Sequence, residues 1–326
     1  MRQLAKTLAA LALLTAFAPA ARANEPMKMA VPGLLSAFAD FFLAVDKGYF
    51  AEEGLDVTII QAGGSIAIPA LLSGDLQYAT SPGVALSAML RGGALKIVYV
   101  NNDHVPYQLW SLAPGVKTLA DLKGKQVGIE TRGDTHELAV RRAFAGDGVD
   151  TSDIALTPLN NRGAVVAAVT SGAVGAASMM MDELERLRTT PGAHMVYDLE
   201  TIPLIAGGGV LSDDFLKDHR EQTKHFLRAA IKGRRFADAH PDAVVEATRK
   251  RNPVQTPEEI KRAIASDVLL RTKDGTISPE LQKQEIANRG AVLGIPPDKL
   301  RDPATMFDFT MLREVVADLD KSGWKP

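Results

Sequence analysis

Residues 55–100 read LDVTIIQAGGSIAIPALLSGDLQYATSPGVALSAMLRGGALKIVYV, and the punctuation of this stretch decides the fold. Residues 55–61 are rich in β-branched side chains and predict a strand. Gly63-Gly64-Ser65 opens a short helix that stops at Ser73-Gly74. Residues 76–80 are a second strand, 82–90 a helix stopped by Gly92-Gly93, and 95–100 a third strand. Strands alternating with short helices give an α/β domain with a mainly parallel sheet. Upstream, residues 27–31 form a strand ended by Pro32-Gly33. Phe38, Phe41, Phe42, Val45 and Tyr49 then recur at helical spacing, with Ser36 as N-cap and Gly54 as stop.

Downstream the same grammar repeats. Residues 126–130, 174–179 and 195–198 read as strands; 118–122, 135–145, 163–171 and 182–188 read as helical. Asp134 or Thr135 caps the helix that follows. Residues 69–81 and 167–178 look alike: in each, an apolar helix stops at Ser-Gly and a short strand ends in small hydroxyl residues. Shared α/β grammar alone could produce this; a true echo means two similar lobes of about 100 residues or more. Ligands of open α/β sheets sit beyond the carboxyl ends of strands, which places Thr80, Ser81, Ser178 and Met179 near a shared cleft. From 212 onward the chain is mostly helical. Thr256-Pro257-Glu258-Glu259 is a strong helix start, and Phe309, Leu312, Val315, Val316 and Leu319 form one apolar face. These helices read as scaffold bracing the lobes.

The N-terminal MRQLAKTLAALALLTAFAPAARA has a positive segment (Arg2, Lys6), an apolar core and an Ala21-Arg22-Ala23 cleavage site, the three parts of a secretory signal peptide in order. Cleavage after Ala23 leaves 303 residues and moves the net charge from −2 to −5. The expected product is a free protein of a bacterial periplasm. The 326 residues are 46% hydrophobic and 23% charged, which excludes a largely disordered chain and a polytopic membrane protein. With so small a net charge, no broad basic nucleic-acid surface is expected. The absence of Cys excludes disulfides, Cys-ligated zinc, iron–sulfur clusters, cysteine nucleophiles and a lipidated N-terminal Cys.

Catalytic motifs fail one by one. His136-Glu137-Leu138-Ala139-Val140 has Val where H-E-x-x-H needs its second ligand, and Gly124-Lys125 lacks the rest of a phosphate-binding loop. Gly63-Gly64-Ser65-Ile66-Ala67 lacks the last Gly of a nucleophile elbow. The six His are scattered without metal-like spacing, so no metal, no cofactor and no catalytic residue is assigned. What remains is a set of strand-to-helix turns whose backbone N–H groups attract acceptors: Gly63-Gly64-Ser65, Ser81-Pro82-Gly83 and Thr131-Arg132-Gly133-Asp134-Thr135. Arg132 is either a bidentate clamp on a carboxylate or sulfonate or a solvated surface charge. Asp134 caps its helix more readily than it touches ligand. His136 is a ligand donor or a structural histidine, and Asn101, Asn102 and His104 are cleft residues or loop filling. Tyr107 and Trp110 stack on a ligand or fill the core and hinge. Asp182 faces the cleft or caps the next helix.

Three segments carry a family resemblance. Residues 44–57, AVDKGYFAEEGLDV, are similar to the A-x-x-K-G-Y-F-x-x-E-G-L-D-V segment of solute-binding proteins of ABC importers, in the branch for nitrate, sulfonates, taurine and thiamine-precursor pyrimidines. Residues 70–75 resemble its A-L-x-S-G-D step, and 119–128 its L-x-D-L-K-G-K-x-V-G signature, in the same order over residues 28–245. The resemblance implies an α/β bilobed periplasmic binding protein fold: two lobes joined by a two-crossing hinge, with the C-terminal helices on the first lobe. Lobe 1 is then 24–110 with 207–326 and lobe 2 is 111–206, with crossings near 107–114 and 202–209. Ligand closes the hinge, and the closed form docks on an inner-membrane permease, with a monomer as the default.

The implied ligand-binding residues are Ser36, Phe38, Gly64, Ser65, Ser81, Asn101, Arg132, Gly133, Asp134 and Thr135, with Asp182 added if it faces inward. Gln77 and Gly175 replace an Asp the family often carries, and Met179-Met180-Met181-Asp182 stands where it has Pro. Met and Phe38 suggest an organic, partly apolar ligand: a sulfonate, an aromatic carboxylate or a pyrimidine-like ring. Asp182 would favour an amine or ring N–H. The expected role is therefore a binding protein and not an enzyme. The alternatives are an enzyme of this fold acting on a small heteroaromatic substrate, and a ligand-sensing subunit of a membrane receptor.

Overall fold

A computed structural model describes residues 24–326 except Thr151 and Asp153; the expected signal segment 1–23 lies outside the described residues. The first half runs β1 (Glu25–Val31), α1 (Ala39–Asp46), α2 (Tyr49–Glu52), β2 (Leu55–Gln61), α3 (Gly64–Ser73), β3 (Tyr78–Ala79), α4 (Pro82–Leu90) and β4 (Leu95–His104). The helix expected to start at Ser36 and run past Tyr49 is broken. Ser36–Phe38 is one 3-10 turn, and Gly48 takes φ 76° between α1 and α2. The left-handed conformation suits glycine and ends the helical ladder there.

The second half runs β5 (Tyr107–Ser111), β6 (Gln126–Ile129), α5 (Thr135–Gly146), β7 (Ala155–Pro158), α6 (Arg162–Thr170), β8 (Ala176–Met180), α7 (Met181–Arg188) and β9 (His194–Asp198). The chain then returns as β10 (Pro203–Ser212), followed by α8 (Asp213–Asp218), α9 (Arg220–Ala239), α10 (Pro241–Arg251), α11 (Pro257–Leu270), α12 (Pro279–Val292) and α13 (Thr310–Lys321). Among the described residues no helix is long and apolar enough to cross a membrane.

The strands form two five-stranded sheets, ordered β2-β1-β3-β10-β4 and β7-β6-β8-β5-β9. In the first, β1 pairs parallel with β2 and β3, and β10 is antiparallel to β3 and β4. In the second, β6 pairs parallel with β7 and β8, and β5 is antiparallel to β8 and β9. The two plans are the same, and the look-alike segments 69–81 and 167–178 lead into β3 and β8, which hold the same place in each. The molecule is thus bilobed, with one α/β lobe on each sheet.

The crossings fall at Val105-Pro106, between β4 and β5, and at residues 199–202, between β9 and β10. The boundaries expected at 110 and 206 therefore cut through strands. Tyr107–Ser111 pairs as a unit within the second sheet, and Pro203–Ser212 as a unit within the first. Ladder pairing commits a strand as a whole, so a lobe boundary settles in the short unpaired link beside it.

Aromatic packing fills the first lobe. Phe41, Tyr78 and Phe226 are buried together, with Tyr78 and Phe226 ring centroids 4.2 Å apart. In the second lobe Trp110, Val165, Val169, Met179, Leu184 and Leu187 form a smaller core on one face of the sheet. Helix α9 lies so close to α1 that a Cβ on Gly233 would stand 2.2 Å from the Asp40 carbonyl oxygen. An alanine in a helix interior is ordinarily worth about 1 kcal/mol over glycine. Overpacking a tight contact costs about 1–3 kcal/mol, so the clash wins here. Gly233→Ala is expected to lower the melting temperature; a rise would mean that the two helices can separate without loss.

Candidate functional site

The carboxyl ends of the parallel strands of both sheets face one cleft, which encloses about 640 Å³ of empty space with its open mouth included. On the first lobe, β1 runs into Pro32, the 3-10 turn presents Phe38, β3 runs into Thr80 and Ser81, and β4 carries Asn101 and Asn102 along its own length. On the second lobe, β6 runs into Glu130 and Thr131, α5 starts with Thr135 and His136, α6 starts with Arg162, and β8 ends in Met180. Pro106, Tyr107, Ala206 and Gly207 line the side where the chain crosses, and α11 contributes Asp267.

The second wall is the more polar. Arg162 Nη2 is 3.1 Å from Glu130, and Nη1 is 3.6 Å from Glu183. Burial alone would lower the Arg162 pKa, but these two carboxylates hold it above the ordinary guanidinium range. His136 lies flat on Tyr107, ring centroids 3.8 Å apart and planes at 9°, and its Nδ1 is 2.9 Å from Ser178 Oγ. Burial, and then the nearby Arg162 charge, push its pKa well below 6.5, so the ring is neutral. Asp134 accepts from the N–H groups of Glu137 and Thr131, each at 2.8 Å, and caps α5. Burial still raises its pKa to about 7.

Buried polar atoms around this cavity stand without hydrogen-bond partners on both walls: Asn101 Oδ1 on the first, His136 Nε2 and Arg162 Nε and Nη1 on the second. Among the described residues no group of His, Asp or Glu could hold a metal ion. The walls also touch. A Cβ on Gly83 would lie 2.3 Å from Thr135 Oγ1, so only a residue lacking one lets the first turns of α4 and α5 meet. Arg289 of α12, 2% exposed, donates to the carbonyls of Gly133 and Asp134 at 3.0 and 3.3 Å and to Thr135 Oγ1 at 3.2 Å. Glu285 holds Arg289 Nε at 3.3 Å and accepts from Ile205 N–H at 2.7 Å. Helix α12, read from sequence as scaffold, thus grips the turn of the opposite lobe.

Of the residues expected in the site, the structure brings Phe38, Gly64, Ser81, Asn101, Asp134 and Thr135 to the cavity. Ser36 is buried but outside the lining, and Ser65 is exposed at the surface of α3. Gly133 lies outside the lining with φ 75°; its carbonyl accepts from Ser87 Oγ at 2.7 Å and from Arg289. Arg132 is a correction. Its side chain is 54% exposed and turns away to Glu137 Oε1, at 3.3 Å, and to the Leu156 carbonyl. The left-handed step at Gly133 sends Asp134 and Thr135 inward and leaves Arg132 outside. Asp182 falls in the first turn of α7, and its side chain lies outside the described residues. Met179 and Ser178 sit behind the wall, and Met180 alone of the three methionines lines it.

Glu130, Arg162 and Asp267 were missed, and Thr131 was named only as part of its turn. Glu130 directly follows the strand at 126–129, and that position was signal enough to find it. Nothing in the helical pattern of 257–270 marks Asp267.

The family model described as NMT1/THI5 like matches residues 36–244. A relative from Brucella abortus (strain 2308) is 23% identical over 295 residues, 84% of this chain and 88% of its own. The riboflavin-binding protein RibY of Chloroflexus aurantiacus is 23% identical over 218 residues, 63% of this chain and 60% of its own. Among solved structures, the alkanesulfonate-binding protein SsuA from Xanthomonas axonopodis pv. citri, bound to MOPS, matches with a TM-score of 0.74 at 16% identity, over 87% of this chain and 98% of that one. At that identity the likeness shows the fold, a bilobed periplasmic binding architecture.

Behind Phe38 the start of α1 buries Asp40, 3% exposed, with its Oδ1 accepting from Phe41 N–H at 2.9 Å. Burial raises its pKa to about 6, against the pull of Arg271 and Arg234. In the unfolded chain the same group titrates near 3.9. The folded state therefore binds the extra proton between about pH 4 and pH 6, and this group's contribution to stability is lost as pH rises through 6. Asp40→Asn removes the titration. The stability of the variant relative to wild type should grow by about 2 kcal/mol between pH 4.5 and pH 8, read from denaturant unfolding. A pH-independent difference would show that Asp40 is not buried as described.

Proposed function

Because the chain belongs to the NMT1/THI5-like family, we propose that it is the substrate-binding component of an ABC importer, working in the periplasm after cleavage behind Ala23. It captures a small organic solute between its lobes, a sulfonate, an aromatic carboxylate or a pyrimidine-like ring, and delivers it as a monomer to an inner-membrane permease.

The observation that carries this reading is the set of buried, unpartnered polar atoms on both walls of one cleft. A buried polar atom left unsatisfied costs about 1–3 kcal/mol. A ligand that reaches Asn101 and Arg162 at once removes that cost on both lobes, and in doing so favours the closed form.

The enzyme reading has one point of attachment. Ser178, His136 and Glu130 form a line, with His136 Nε2 3.8 Å from Glu130. Ser178 is 1% exposed and stands behind His136, out of the cavity lining. A nucleophile must reach its substrate, so this line fits the holding of a neutral imidazole better than acyl transfer. A ligand-sensing subunit would share every feature described and differ in its partner.

Residues 24–326 should be unfolded, dialysed, refolded and melted against sulfonates, aromatic carboxylates and pyrimidines. A true ligand at 100-fold over its Kd adds about 2.7 kcal/mol. For that ligand Asn101→Ala should weaken binding by about 1 kcal/mol or more, the worth of a hydrogen bond, while Arg132→Ala stays within about 0.5 kcal/mol of wild type. A protein that no compound stabilises, and that releases no small molecule on denaturation, would contradict the binding role. The exported form should begin at Asn24; an intact N-terminus in a cytosolic chain would contradict the location.

A further inference from the structure

The charge of the cleft carries a narrower conclusion, one that rests on the binding role just proposed. Arg162 is the one Lys or Arg among the lining residues described. Its guanidinium is matched twice, by Glu130 at 3.1 Å and by Glu183 at 3.6 Å, so the three groups together bear a negative charge. The other feature of that wall that could greet an anion, the start of α5, already holds carboxylates of its own: Asp134 takes the N–H groups of Glu137 and Thr131, and Glu137 takes that of Gly133 at 2.8 Å. Facing them, Asp267 adds a carboxylate whose cation, Arg271 at 2.8 Å, is not part of the lining. A sulfonate or carboxylate entering here gives up its water without finding a cationic side chain free of a carboxylate partner.

Neutral groups fare differently. Arg162 Nε and Nη1 remain donors without acceptors, and Asn101 Oδ1 an acceptor without a donor. On the first wall the caps of α3 and α4, Gly63 and Ser81, make no side-chain hydrogen bond, which leaves first-turn N–H groups for a lone pair. We propose that Glu130, backed by Glu183, is the charge filter of this cleft: it neutralises Arg162, excludes sulfonates and carboxylates, and reserves the site for uncharged ligands carrying both an N–H and a lone-pair acceptor. Glu130 acts on specificity through Arg162.

The test uses matched probes of nearly one shape, benzenesulfonate with benzenesulfonamide and benzoate with benzamide, on refolded residues 24–326, wild type and Glu130→Gln. Thermal shifts and calorimetric titration at fixed ionic strength give the affinities. Wild type is expected to prefer the neutral member of each pair, or to bind neither, and Glu130→Gln to gain about tenfold or more for the anions. Wild type that binds the anion as well as its neutral twin overturns the filter and leaves the binding role standing. Glu130→Gln that gains nothing for either anion also overturns it. Should Glu130→Gln fail to fold, Glu183→Gln relieves the same guanidinium from its other side and is read the same way. The failure of the binding role is a separate result: no compound of any charge stabilises any variant.

Discussion

Each sheet is completed by a strand inserted from the crossing chain, and the rest of the molecule follows from that exchange. β10 arrives from beyond the second lobe and lies between β3 and β4. β5 leaves the first lobe and lies between β8 and β9. Both are antiparallel to their neighbours, so the parallel strands on either side point their carboxyl ends at the same gap. The two links that remain, Val105-Pro106 and residues 199–202 with their single 3-10 turn, are too short to let the lobes drift apart, and they lie outside both ladders. That geometry produces a cleft with chemistry on both walls and a hinge at its side.

What the cleft can do is set by where charges are already satisfied. Glu285 and Arg289 are almost wholly buried and neutralise one another, and Arg289 spends its remaining donors on the turn at Gly133 and Asp134. Breaking such a pair strands a buried charge, so it fixes the position of the turn more than it adds net stability. Arg162 is matched in the same way by Glu130 and Glu183. His136, packed on Tyr107 and tethered to Ser178, is kept neutral by burial. The wall is therefore polar and rigid, and its guanidinium is already neutralised.

Much of the fold was legible because local and tertiary preferences agree. The β-branched run at 55–61 is a strand, the Ser-Gly stops end α3 and α6, and Thr256 with Glu259 forms a reciprocal capping box at 3.2 and 2.6 Å. The failures come from choices that no local pattern records. The helix after Ser36 breaks at Gly48, β4 runs on through Asn101 and Asn102 to His104, and β7 has only four residues and little pattern. In the site, the strand-end rule found the right turns and could not tell which side chain each turn would aim inward. At 131–135 the left-handed Gly133 sends Arg132 to Glu137 and Asp134 to the cleft. Asp267 reaches the cavity from a helix whose sequence reads as scaffold, and Arg162 stands one residue before the helix expected at 163–171.

The central claim is that a ligand engages both walls at once. It is met most directly by hydrogen exchange on refolded residues 24–326, with and without the compound that stabilises the protein most. The account expects new protection on both lobes together, at 80–84 and 101–102 on the first and at 130–136 on the second. Protection confined to one wall, or appearing only outside these segments, would contradict it.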